Sequence, residues 1–82
     1  MKTLNDMVVE RICKYLGEKE DWTQYKLSVE SGIPFSTIKS IMQKKTKGID
    51  FKTIILLAHG LKIKPSEFID DDGFLAENLD LE

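Results

Sequence analysis

Residues 23–41 read Thr-Gln-Tyr-Lys-Leu-Ser-Val-Glu-Ser-Gly-Ile-Pro-Phe-Ser-Thr-Ile-Lys-Ser-Ile, and the Gly32-Ile33-Pro34 break within them constrains the fold more than any other feature. Thr23 is a hydroxyl N-cap for a helix that ends before Gly32. Gly32 suits the residue just past a helix, where the backbone turns left-handed and only glycine avoids a steric cost. Ile33 then follows as an apolar anchor. Pro34 fixes the backbone at the start of a second short helix, which runs over residues 34–44. Leu27, Ile33, Ile38 and Ile41 are placed to lock the two helices together at a steep angle, with Ile38 and Ile41 facing inward. That pattern predicts a helix-turn-helix.

The remaining apolar spacing is also helical, and no segment alternates for long in the manner of a strand. A first helix is expected over residues 5–18, with Val9, Ile12, Cys13 and Leu16 as its apolar stripe. Cys13 is read there as a small core hydrophobe. In the helix opened by Thr23, Leu27 and Val29 supply packing, with Trp22 at its entrance. A fourth helix covers residues 51–61, capped by Asp50, with a stripe of Ile54, Leu57, Ala58 and Leu61. Pro65 suits the first turn of a short fifth helix over residues 65–69, in which Phe68 and Ile69 close the core. A chain of 82 residues supports one domain. The expected architecture is all-α, a compact five-helix bundle over residues 1–69. Residues 70–82 follow as an acidic tail. Its Phe74, Leu75, Leu79 and Leu81 allow either a short amphipathic helix or a loose end.

The formal net charge of −2 conceals a segregation. All 12 Lys and Arg lie in residues 1–69 with 8 acids, giving +4, whereas residues 70–82 hold 6 acids and no base, giving −6. Five lysines (Lys39, Lys44, Lys45, Lys47 and Lys52) stand between Phe35 and Lys52 against the single acid Asp50. Opposite signs in two segments direct attention to a local basic face. Several other chemistries are disfavoured. One cysteine and one histidine cannot make an internal disulfide or a structural zinc site. His59 is read as a surface residue near a helix C-terminus. The Asp70-Asp71-Asp72 run lacks the spacing and closing glutamate of a calcium loop. No cluster of acid–base or nucleophilic groups indicates an enzyme, so neither catalytic residues, metal nor cofactor is expected. No apolar run approaches the roughly 18 residues of a membrane span, and residues 1–6 lack the pattern of a secretory leader. A cytoplasmic location with no membrane partner is the simplest expectation.

The exposed side of the helix over residues 34–44 offers Phe35, Ser36, Thr37, Lys39, Ser40 and Gln43. These are donors, acceptors and one apolar group of the kinds that meet base edges in the DNA major groove. Plainer roles are open for some of them. Phe35 can belong to the core, Ser36 and Thr37 can serve as helix caps, and Trp22 and Tyr25 are read as packing or rim residues.

At this point the chain resembles the Cro and phage-repressor type of helix-turn-helix proteins, often called XRE-like. The likeness covers roughly residues 5–69. It rests on Thr-Gln opening the second helix, Ser-Gly-Ile at the turn, Ser-Thr-Ile in the third helix, and Ala-x-x-Leu followed by Pro-Ser-Glu-Phe. The resemblance implies a lambda-repressor-like fold and a sequence-specific, repressor-like transcriptional regulator. It places Thr23 and Gln24 beside phosphates and the first base-reading residue. It makes Phe35, Ser36 and Ser40 base readers, with Thr37 and Lys39 at phosphates or flanking bases. Lys44, Lys45 and Lys47 would run along the backbone. Three positions depart from the family pattern. Lys44 replaces the usual glycine after the third helix, Lys62 stands where glycine often caps the fourth, and Phe35 replaces a polar residue. The last change suggests a methyl or stacking contact in place of a hydrogen bond.

The implied partner is a palindromic double-stranded DNA operator bound by a weak homodimer. The interface of that dimer would draw on Ile63, Phe68, Ile69, Phe74, Leu75, Leu79 and Leu81. The competing expectation is an antitoxin-like or phage-encoded protein-interaction module on the same fold, with the acidic tail and its leucines meeting a protein partner.

Overall fold

Hydroxyl and carboxylate caps set the starts of three of the five helices in the computed structural model, which describes residues 1–46 and 48–81. A two-residue strand β1 (Lys2–Thr3) leads into α1 (Leu4–Gly17). Thr3 and Asp6 form a reciprocal capping box at that junction. The Asp6 amide donates to Thr3 Oγ1 at 3.1 Å and the Thr3 amide donates to Asp6 Oδ2 at 2.9 Å. There follow α2 (Gln24–Ser31), α3 (Phe35–Met42), α4 (Phe51–Leu61) and α5 (Pro65–Phe68). Thr23 caps α2 by accepting from the Lys26 amide, and Asp50 caps α4 by accepting from the Thr53 amide. Gly32 is left-handed at φ 78° and its amide donates to the Ser28 carbonyl, as the turn demands. The fold is mostly helical, with five helices and few strands among the described residues.

All five helices contribute to one core. Val8 and Ile12 of α1, Leu27 of α2, Ile38 and Ile41 of α3, and Leu57, Ala58 and Leu61 of α4 meet Phe68 of α5, each almost fully buried. Complete burial of such side chains contributes roughly 1.5–3 kcal/mol apiece before the entropy of ordering them is set against it. α2 and α4 pack closest, because Gly60 of α4 lies directly on the backbone of Ser31. Ser31 is buried, donates its hydroxyl to the Ser28 carbonyl and accepts from the Ile33 amide, so it ties the seam to the turn before α3.

Three expectations about the core are corrected. α1 turns a different face inward: Met7, Val8, Arg11 and Ile12 are buried, Val9 and Leu16 are partly buried, and Cys13 is exposed. Arg11 can occupy this face because its guanidinium is satisfied by α5. Its Nε donates to the Phe68 carbonyl at 2.7 Å and its Nη2 to the Glu67 carbonyl at 2.6 Å, closing the C-terminal end of that helix. Val29 is 60% exposed, since α2 presents Leu27 and two small serines to its neighbours instead. Ile69 is also exposed, because α5 stops at Phe68 and the chain turns away.

The acidic segment is neither loose nor an α-helix. It forms two 3-10 turns, Asp72–Phe74 and Ala76–Asn78, and a strand β2 (Leu79–Asp80) that pairs in parallel with β1. Leu79 is buried, Phe74 packs against the core, and Asp71 reaches Arg11 Nη1 at 3.6 Å. Local cues missed this arrangement because the strand pairing with β1 and the ion pair with Arg11 of α1 come from the other end of the chain.

Candidate functional site

α3 is two-sided. Ile38 and Ile41 are fully buried, whereas Phe35, Ser36, Lys39 and Gln43 are exposed and Thr37 and Ser40 are half-buried. Pro34 precedes the helix and no side chain caps it, so Ser36 and Thr37 do not serve as caps. Among the described residues, the side chains of Ser36, Thr37, Ser40 and Gln43 make no hydrogen bond within the fold. A hydroxyl or amide left uncommitted on a rigid helix is available to an external partner.

Phe35, the first residue of α3, is exposed, at 39%. Tyr25 of α2 meets it edge to face at 5.4 Å between centroids, and Lys39 Nζ stands 5.7 Å from its ring. Gln24 is half-buried at the first position of α2, beside Thr23, whose hydroxyl is engaged as the cap. Trp22 is half-buried, with Lys19 and Lys26 ammonium groups 5.2 and 5.4 Å from its ring. It is a rim residue screened by two cations.

The lysine loop divides by role. Lys45 is exposed without an ion-pair partner among the described residues. Lys44 instead turns back to α1, where its ammonium lies 2.9 Å from Asp6 Oδ1. The Thr3 amide and then the Lys44 ammonium hold the Asp6 carboxyl well below its ordinary range, down to about 2. Asn5 donates its side-chain amide to the Thr46 carbonyl, so the first turn of α1 fastens the loop at two points. Lys47 lies outside the described residues.

Lys44 and Lys62 both adopt left-handed backbone, at φ 58° and 62°, in the places where the resemblance leads one to look for glycine. The Lys62 ammonium binds Glu30 Oε1 at 3.0 Å and lowers the pKa of that carboxyl. Glu30 is the one acid in α2 and α3, and this pair masks it.

Sequence reasoning missed Asn5, Asp6 and Arg11. Thr-x-x-Asp at residues 3–6 announces a helix start, but nothing local announces that its aspartate reaches the loop after α3. Comparison of the chain with protein-family models, with curated proteins and with solved structures gives no match. No helix among the described residues is long and apolar enough to cross a membrane.

Proposed function

We propose that this chain is a sequence-specific DNA-binding transcriptional regulator, repressor-like in action, whose α2 and α3 form a helix-turn-helix of the Cro type. The two-sided character of α3 carries the reading. Buried Ile38 and Ile41 fix the helix, while uncommitted hydroxyl, amide and ammonium groups point away from the core. In such a module α3 enters the major groove with its first turns against base edges, and the start of α2 rests near a phosphate. Ser36, Ser40 and Gln43 would then read bases, and Lys39 and Lys45 would neutralise phosphates. Lys44 takes the lesser part, since Asp6 already holds it.

Selection of bound duplexes from a random DNA pool tests this directly. A defined consensus is expected. Ser40→Ala should change preference at individual base pairs by roughly 1–3 kcal/mol without altering the fold. Recovery of no consensus would overturn the reading.

A two-fold dimer on a palindromic site belongs to the same proposal. The fold uses Phe68 and Leu79 internally, so they are unavailable to such an interface, while Ile69, Leu75 and Leu81 remain exposed. Those same exposed leucines favour the second reading, a protein-interaction module. Sedimentation at several concentrations, with and without the selected duplex, separates the two: dimers that tighten on DNA support the regulator, and a strict monomer bound to a single half-site removes the dimer.

A further inference from the structure

Phe35 opens α3 with its ring part-exposed, yet the ring is not free to wander. Tyr25 packs against it at an interplanar angle of 80°, and Lys39, one turn further along α3, lies over it. Tyr25 belongs to the first turn of α2 and is itself 62% exposed, so the two rings form an open aromatic edge joining α2 and α3. A ring oriented before binding loses little freedom when a partner arrives.

A phenyl ring has no donor or acceptor, so it cannot read the polar pattern of a base edge. Among the groups the four bases present in the major groove, the apolar one is the C5-methyl of thymine. The surroundings favour a polyanion as occupant. Lys39 at the ring and Lys45 just past α3 are exposed and without ion-pair partners among the described residues, and Glu30, the one acid in α2 and α3, is bound to Lys62.

We infer that Phe35, positioned by Tyr25, reads the 5-methyl group of one thymine in each half-site. This rests on the DNA-binding reading above. Phe35 is the specificity-determining residue and Tyr25 the positioning residue. The methyl group sits against the ring while Ser36 and Ser40 meet neighbouring polar edges.

The test begins with parallel selections from a random duplex pool, using the wild-type chain and Phe35→Ala. The wild-type consensus should hold a thymine whose preference disappears in the variant. Replacing that dT by dU removes only the methyl group. It should weaken wild-type binding about fourfold, the worth of roughly one buried methyl. Replacing a dC placed there by 5-methyl-dC should strengthen it by a similar factor. Phe35→Ala should show neither effect. Tyr25→Ala should shrink the dT to dU ratio toward one, and Tyr25→Phe, which keeps the edge-to-face ring, should restore it. Circular dichroism melts check that the variants fold. The dT to dU comparison with the wild-type chain stands whatever the variants do. Equal wild-type affinity for dT and dU duplexes, or loss of preference at a base other than thymine in Phe35→Ala, overturns this inference and leaves the regulator reading intact. Failure of the wild-type chain to select any DNA overturns both.

Discussion

Gly60→Ala is a sharp probe of how the helices are held. A Cβ added at Gly60 would lie 2.7 Å from Ser31 Cβ and 2.9 Å from both its Cα and its amide nitrogen. The first distance falls 0.7 Å short of the 3.4 Å at which ordinary contact begins. Two of the three obstructing atoms are backbone, so no rotamer change relieves the clash and α2 must separate from α4. Overpacking of this kind costs about 1–3 kcal/mol, and the backbone contact puts this case toward the upper end. Alanine returns up to about 1 kcal/mol of helix propensity. The net expectation is a loss of about 1–2 kcal/mol, or roughly 4–16 °C in Tm for a domain of this size. Gly17, the last residue of α1, has nothing within 4 Å of its added Cβ and supplies the control. Gly17→Ala should raise Tm by a few degrees, for up to about 1 kcal/mol of propensity. Thermal melts of both variants by circular dichroism decide the matter. Equal stabilisation by the two substitutions would refute the close approach of α2 and α4 at Ser31.

Other consequences are equally direct. Lys45→Ala should weaken binding to all DNA sequences alike and reduce the slope of log affinity against log salt by about 0.9, and an unchanged slope in a salt titration would remove Lys45 from the phosphate contacts. Asp6 has its folded pKa depressed to about 2. Its contribution is therefore complete above the unfolded value near 3.8 and lost as pH falls through about 2. The decline in stability between about pH 4 and pH 2 should be shallower in Asp6→Asn, as denaturant titrations across that window will read. Leu79→Ala should destabilise the fold by about 2 kcal/mol, at the low end for a buried leucine because the site is a short edge strand. A neutral result in chemical denaturation would mean that the acidic segment does not stay docked in solution.

Much of the architecture was legible in the residues themselves, because its causes are local. Thr23 and Asp50 cap whichever helix follows them, Gly32 accepts the left-handed turn, and Pro34 starts the next helix. The inward spacing of Ile38 and Ile41 likewise fixed the outward one, so Phe35, Ser36, Lys39 and Gln43 could be written down as exposed, while Thr37 and Ser40 are half-buried. The remainder depended on partners distant in the chain. Arg11 has no local mark of burial in the sequence and is buried, because the end of α5 supplies carbonyls that replace its water. Lys44 reads as one member of a basic run and is drawn to Asp6, while Lys45 beside it has no ion-pair partner among the described residues. The acidic segment reads as either a short amphipathic helix or a loose end and is held by a strand pair, a buried leucine and Arg11. Capping, turns and periodicity act over a few residues and leave their mark in the sequence. Desolvating a charge or docking a terminus depends on which groups the completed fold brings within a few ångströms, and that is decided by tertiary structure alone.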